Sequence, residues 1–339
     1  MKKEPVSLKD IAKQLNVSIS TVSRALRNKG EINPETRKGI IELAKKLKFR
    51  PNPLATGLLN KKTSTIGIVI PEIENYFYST ILRGMDSVAS LSGYRLIVSY
   101  TNDNQTNEIL AIQELMLSRV DGIIACPSSE LYDFTHYYDI IDNNIPLVIF
   151  EREPEEIPTY KVVTDNIKSS IEVTEHLISK RCRRIAFITN LEPLAAGRLR
   201  YEGYKMALKK HNIPLDHELI IHGNMNISTS VEATINLLKK KPLPDAIIGN
   251  NDMVAMVAMK IAKEKGFRIP QDIAVAGFAD EPFSSFLEPS LTSVGQPAYL
   301  IGMKSLEIML QMINGDIPIN EDKKIVLESA LVIRDSTKR

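Results

Sequence analysis

A small all-helical head followed by an α/β body in two lobes with parallel sheets is the fold class that these 339 residues predict. Three observations point to it. Residues 7–47 place apolar side chains at helical spacing in three successive short segments. From Ser64 onward, short continuous apolar runs alternate with amphipathic stretches of helical period. Charge is also divided: the first 62 residues carry 15 Lys and Arg against 5 Asp and Glu, the other 277 carry 28 against 36. A basic head on an acidic body points to a polyanionic partner for the head alone.

In the head, Ser7 is a suitable N-cap and Asp10 favours the positive end of a first helix. Leu8, Ile11, Ala12 and Leu15 form its apolar face. Asn16-Val17-Ser18 breaks the pattern, Ser18 caps a second helix, and Val17 is placed to staple onto Val22. Two short helices joined by three residues have the geometry of a helix-turn-helix. Val22, Ala25 and Leu26 face inward, which leaves Ile19, Ser20, Ser23 and Arg24 outward, where this motif meets base edges in the major groove. Asn33 and Pro34 open a third helix with Ile40, Leu43, Ala44 and Leu47 on one face. The alternative for the head is a helical protein-interaction module; the turn length and the concentration of charge favour DNA. In the linker that follows, Pro51 and Pro53 end the third helix, and Leu54, Leu58 and Leu59 are apolar with little core nearby. Gly57 supports a flexible connector; Pro53 supports a short helix.

In the body the strand candidates are Ile66–Ile70, Arg95–Ser99, Gly122–Ala125 and Leu147–Phe150, then Ile185–Thr189, Leu219–Ile221, Ala246–Gly249 and Ile273–Gly277. Continuous apolar runs suit parallel strands covered on both faces, and intervening helices make right-handed βαβ units. Tyr160–Asp165 reads as a strand crossing between two lobes. Ligands of such sheets bind at the carboxyl ends of strands. The residues there are Tyr76 and Phe77, which either stack on a sugar face or pack in the core; Ser128; Arg152; Asp165 and Asp252, each also a candidate helix cap; and Arg198, at the start of a helix after the first strand of the second lobe.

Enzyme chemistry is not expected: the sequence has no G-x-S-x-G, P-loop or G-x-G-x-x-G motif, and His136, His176, His211, His217 and His222 lack metal-ligand spacing. No metal or cofactor is expected. Cys126 and Cys182 make no disulfide framework, Met1-Lys2-Lys3 is followed by charged residues rather than an apolar stretch, and no run has the length of a membrane span, so a cytoplasmic protein with no membrane partner is expected. An enzyme acting on a small sugar or nucleotide, a solute-binding transport protein and a nonspecific architectural DNA-binding protein are the alternatives.

The strings SLKDIAKQLNVSISTVSRAL, NPETRKGIIELAKKLKFRPN and TSTIGIVIP resemble the lactose-repressor (LacI/GalR) family, and the likeness runs over essentially the whole chain. The resemblance implies a helix-turn-helix domain over 1–50, a hinge helix over 51–63 and a two-lobe, periplasmic-binding-protein-like effector-binding and dimerisation domain over 64–339. It implies that Ile19, Ser20 and Arg24 read bases, that Ser7, Ser18, Thr21, Ser23 and Asn28 hold phosphates or the turn, and that Leu58 wedges into the minor groove. It places effector contacts at Arg198, Asp252 and Gln296, with Arg152 and Asp165 nearby. The chain is thereby expected to be a homodimeric, allosteric transcription regulator, a repressor, whose affinity for double-stranded operator DNA is tuned by a small-molecule effector such as a sugar or sugar derivative. Three departures from the family pattern stand out. Thr56-Gly57 replaces Arg-Ser before Leu58, predicting a hinge that orders only on DNA. Ala279 stands where a carboxylate commonly chelates sugar hydroxyls, and Met225 where an aromatic is common, so the effector need not be a simple monosaccharide.

Overall fold

The computed structural model describes residues 6–26, 32–49, 62–224 and 226–339. Asn28, Leu58, Met225 and nearly all of the expected hinge lie outside the described residues. The chain divides into two compact units, Met1–Thr63 and Ser64–Arg339.

The first unit holds α1 (Leu8–Gln14), α2 (Ile19–Leu26) and α3 (Pro34–Lys46). Ser7 and Asp10 form a reciprocal capping box at α1. The turn is made at Asn16, which takes a left-handed backbone (φ 49°) that asparagine tolerates better than most residues. Ser18 Oγ then accepts from Thr21 N at 3.0 Å and caps α2. Asn33 caps α3 by accepting from Glu35 N, with Pro34 in its first turn. Ile11, Ala12, Val22, Ala25, Ile40 and Ala44 form the core that fixes the three helices, with Val17, Leu43 and Leu47 against it.

The second unit begins with β1 (Thr65–Ile70), α4 (Tyr76–Ser92), β2 (Arg95–Tyr100), α5 (Gln105–Leu117), β3 (Gly122–Ala125), α6 (Thr135–Asp142), β4 (Leu147–Phe150) and β5 (Tyr160–Thr164). It continues with α7 (Asn166–Ser179), β6 (Ile185–Thr189), α8 (Ala196–Lys210), β7 (Ile220–His222), α9 (Ile227–Leu238), β8 (Ala246–Gly249), α10 (Asp252–Glu264), β9 (Ala274–Ala279), β10 (Thr292–Gly295), α11 (Ala298–Asn314), β11 (Lys323–Leu327) and β12 (Ala330–Val332). Two six-stranded sheets result, ordered β11-β5-β4-β3-β1-β2 and β12-β10-β9-β8-β6-β7. All described pairings are parallel except β10 with β12.

Two elements differ from the sequence expectation. Tyr160–Thr164 is not a crossing strand; it pairs with β4 inside the first sheet, and the chain crosses only after it. It crosses back after β10, because α11 packs on α4 in the first lobe, and again between β11 and β12. The α4–α11 approach needs glycine: a Cβ on Gly302 would sit 1.9 Å from the Ile81 carbonyl oxygen, and one on Gly84 2.1 Å from that of Tyr299. Second, β2 is not covered on both faces. It is an edge strand with Ile97, Val98 and Tyr100 exposed, because an apolar run alone does not say whether its cover lies within the same chain.

Candidate functional site

The recognition face of α2 is assembled as its helical phase requires. Val22 and Ala25 are buried, while Ser18, Ser20 and Arg24 are exposed and Ile19 is 49% exposed. Ile19 thus offers apolar surface beside the hydroxyls at the start of α2. Ser18 Oγ also lies 2.7 Å from Ser20 Oγ and 2.8 Å from Thr21 Oγ1, so three hydroxyls cluster at the N-terminal end of α2, where the helix dipole favours an anion. Arg24 folds its Nε back to the Ser20 carbonyl oxygen at 3.4 Å. Ser7 is exposed, and Thr21 and Ser23 are half-buried.

The body's site is built at the carboxyl ends of its strands. In the first lobe, Arg152 follows β4 and donates Nη1 to Asp103 and to the Pro127 carbonyl oxygen at 2.6 Å, with Nε 3.4 Å from Glu151. Asp103 also accepts from Ser129 N at 3.0 Å and from its hydroxyl at 2.6 Å. Glu151 is buried, and burial pushes its carboxyl above the usual range. Cys126 Sγ lies 3.7 Å from it, and burial pushes that thiol up as well.

In the second lobe the central group is Arg200 on α8. Its side chain donates Nε to Asn166 Oδ1 at 2.9 Å, Nη1 to the Asn250 carbonyl oxygen, and Nη2 to Gln296 Oε1 at 3.1 Å. Its guanidinium lies over the Phe278 ring, 4.4 Å from the centroid. Gln296 donates onward to Thr164 Oγ1 at 3.1 Å. Arg200 is 4% exposed, and burial pushes its pKa down to about 10. Among the described residues its hydrogen-bond acceptors are neutral, while the carboxyls of Glu151 and Asp252 act on it through space. These charges offset only part of its burial cost, since its pKa still falls, and a ligand oxygen in direct contact would offset more.

The buried arginine therefore stands two residues after the one chosen from the sequence. Arg198 is exposed and donates Nε to the Pro193 carbonyl oxygen at 2.8 Å. The helical phase of α8 was the available signal: Gly197, Arg200, Gly203, Tyr204, Ala207 and Leu208 are its buried face. Asp103 was missed too, because its partnership with Arg152 joins separate strand ends; Glu151 is Arg152's own neighbour at the end of β4.

The structure brings Arg152 and Gln296 to the strand ends and gives other expected residues inward tasks. Asp252 is fully buried; it accepts from Ser293 Oγ at 2.5 Å, Ser284 Oγ at 2.6 Å and Glu281 N at 2.8 Å, and so ties the ends of β8, β9 and β10 together. The cap of α10 is Asn251, not Asp252. Asp165 stands at the cap position of α7 without a capping bond, because its Oδ1 accepts from Ser329 N at 2.9 Å in the last crossover. It lines a cavity of about 460 Å³ with Asn166, Leu199, Lys324 and Val326. Ser128 is fully buried and gives both its N–H (2.5 Å) and its hydroxyl (2.6 Å) to Glu108, whose other oxygen meets His136 Nε2 at 2.8 Å. Phe77 packs in the first-lobe core, while Tyr76 is 43% exposed. A cavity of about 440 Å³ lined by Arg183, Tyr204 and His217 lies at the amino-terminal end of β6, away from these strand ends.

A helix-turn-helix unit with an outward polar and apolar recognition face, joined in one chain to a two-lobe body with a buried arginine at its strand ends, defines a ligand-responsive DNA-binding regulator. Residues 7–52 match the model of the bacterial regulatory proteins of the lacI family, and residues 174–337 match the periplasmic binding protein-like domain. Catabolite control protein A of Priestia megaterium is 30% identical over 338 residues, covering 98% of this chain and 99% of that protein. The lac repressor dimer bound to operator and the anti-inducer ONPF matches with a TM-score of 0.87 at 25% identity, covering 98% of this chain and 99% of that one. The complex of the transcriptional regulator CelR with cellobiose matches with a TM-score of 0.74 at 27% identity, covering 98% and 99%. The chain belongs to the lacI family of transcription regulators. Among the described residues no helix is long and apolar enough to cross a membrane.

Proposed function

We propose that this chain is a cytoplasmic homodimeric repressor that reads a near-palindromic operator and is tuned by a sugar or sugar derivative bound at the strand ends of its body. The observation that carries the effector reading is Arg200, a buried guanidinium with neutral acceptors only, suited to hydroxyl, carboxylate or phosphate oxygens through its planar fork. Arg152 and Gln296 are its proposed companions. Ala279 supplies no carboxylate, and Asp280 is held by Arg334 at 2.6 Å, which supports a ligand other than a plain monosaccharide.

On the DNA side, Ile19, Ser20 and Arg24 are the proposed base contacts, with Ser7, Ser18, Thr21, Ser23 and Asn28 on phosphates or the turn and Leu58 as a minor-groove wedge. The homodimer is supported by the exposed apolar edge of β2, with Ile97, Val98 and Tyr100, and by Leu91 beside it in sequence. The effector acts by changing lobe closure, and it shifts operator affinity only by its differential affinity for the two lobe arrangements.

The test is a thermal-melting screen of the purified chain against neutral sugars, uronic acids and sugar phosphates. Operator affinity is then measured with and without any compound that raises the melting temperature. Stabilisation with an unchanged operator affinity would refute the allosteric reading.

A further inference from the structure

The loop of residues 190–195, between β6 and α8, belongs to the second lobe by sequence but is fastened to the first. Leu194 N donates to the Ser129 carbonyl oxygen at 3.1 Å. The Leu194 side chain packs against the first-lobe cluster that contains Leu131, Tyr137 and Ile140. Tyr132 OH lies 3.5 Å from Glu192 Oε2. On its own side the loop is braced: His222 Nδ1 accepts from Leu191 N at 3.2 Å, Asn190 Oδ1 from Glu192 N at 2.9 Å, and Arg198 Nε donates to the Pro193 carbonyl oxygen at 2.8 Å.

Both ends of this fastening reach the proposed effector site. Ser129, whose carbonyl receives Leu194, gives its own N–H and hydroxyl to Asp103, and Asp103 holds Arg152. The loop runs directly into α8, which carries Arg200. An apolar side chain from one lobe packed against the core of the other gains hydrophobic stabilisation only while the lobes are together. It therefore favours the closed arrangement whether or not a ligand is present.

We propose that residues 190–195 are an interlobe latch, with Leu194 as the positioning residue that sets the balance of closed and open lobes. The proposal rests on reading the body as a device whose lobes close and open. It gives Arg198 the task of bracing the latch and predicts that the chain without ligand is mostly closed. A ligand would then act on an equilibrium already biased one way, and its leverage on DNA would be limited by that bias.

The test reads the distance between the lobes and needs neither DNA nor effector, so its failure is distinguishable from failure of the DNA-binding reading. Spin labels are placed by Asp139→Cys on α6 and Glu232→Cys on α9, both exposed positions. The native Cys126 and Cys182 are buried. Double electron–electron resonance is recorded on the full chain, diluted with unlabelled protein so that only intrachain pairs contribute. The expected result is one short distance for the parent, a shift to a longer component for Leu194→Ala, and return to the short distance for Leu194→Met, which refills the apolar pocket. The pair Tyr132→Phe, exposed, and Glu192→Gln, half-buried, serves if Leu194→Ala fails to fold; it is expected to broaden the distribution. A distribution unchanged by the variant that is read, or a parent already broad and long, overturns the proposal.

Discussion

Arg198 and Arg200 stand two residues apart on α8 and meet opposite surroundings: Arg200 is held by Asn166, Asn250 and Gln296 with 4% of its surface exposed, while Arg198 is exposed and fastened to Pro193. Two residues are about 200° of an α-helix, so the pair must point to different sides. The expected consequence is a division of labour. Arg200→Lys keeps the charge but loses the fork, and is expected to weaken a ligand found by the melting screen by about 2–5 kcal/mol. Arg198→Ala is expected to leave intrinsic ligand contacts in place. Calorimetric titration of both variants checks this; loss of binding in Arg198→Ala with retention in Arg200→Lys would return the effector role to Arg198.

On the DNA side, Arg24 and Ile19 are presented outward by the burial of Val22 and Ala25. Arg24→Ala is expected to cost about 1–3 kcal/mol on the operator and little on random DNA. The head's 15 basic residues predict a steep loss of affinity with salt, by orders of magnitude over a fourfold increase if roughly 6–10 phosphates are contacted. Equal losses on both DNAs would make Arg24 a phosphate contact, and a salt-independent affinity would remove DNA as the head's partner.

The crossing of α4 and α11 holds the first lobe's return segment in place. Gly302→Ala would put a methyl carbon 1.9 Å from a backbone oxygen, which no rotamer change relieves. The helices must separate, at a cost of about 1–3 kcal/mol. Urea denaturation followed in the body should show a lower midpoint. A midpoint equal to the parent's would mean that the two helices slide apart freely.

Much of this architecture was legible because local chemistry agrees with the fold. Gly122–Ala125, Leu147–Phe150, Ile185–Thr189 and Ala246–Gly249 are strands with the bounds the apolar runs suggested. Ser7, Ser18 and Asn33 cap the helices they were expected to cap. What escaped was long-range. The two lysines of β11 leave an apolar run of only Ile325, Val326 and Leu327, too short to mark a strand, yet it pairs with β5. The partners of Ser128 and Arg152 lie 20 and 49 residues away, at Glu108 and Asp103. Asp165 gave its carboxylate to Ser329 rather than to its own helix, a choice made by the last crossover and invisible in the local sequence.

Glu281 and Asp252 form a buried pair of acids at the end of β9. Asp252 is pushed up to about 6 and Glu281 up to about 7, in both cases chiefly by burial, and for Glu281 also by the neighbouring Asp252 charge. A carboxyl raised in the folded state above its ordinary value of 4.5 binds its proton more tightly folded than unfolded. Stability contributed by Glu281 is therefore full below pH 4.5, falls as pH rises toward about 7, and stays lost above that. Glu281→Gln keeps the backbone N–H that serves Asp252 and removes the charge. The variant is expected to match the parent near pH 4.5 and to exceed it by about 1–3 kcal/mol at pH 8, where the parent must hold two carboxylates together. Urea midpoints across this range, parent against variant, isolate the effect from other titrating groups. A difference that does not grow between pH 4.5 and pH 8 would show that Glu281 is solvated in the native chain and carries no linkage to folding.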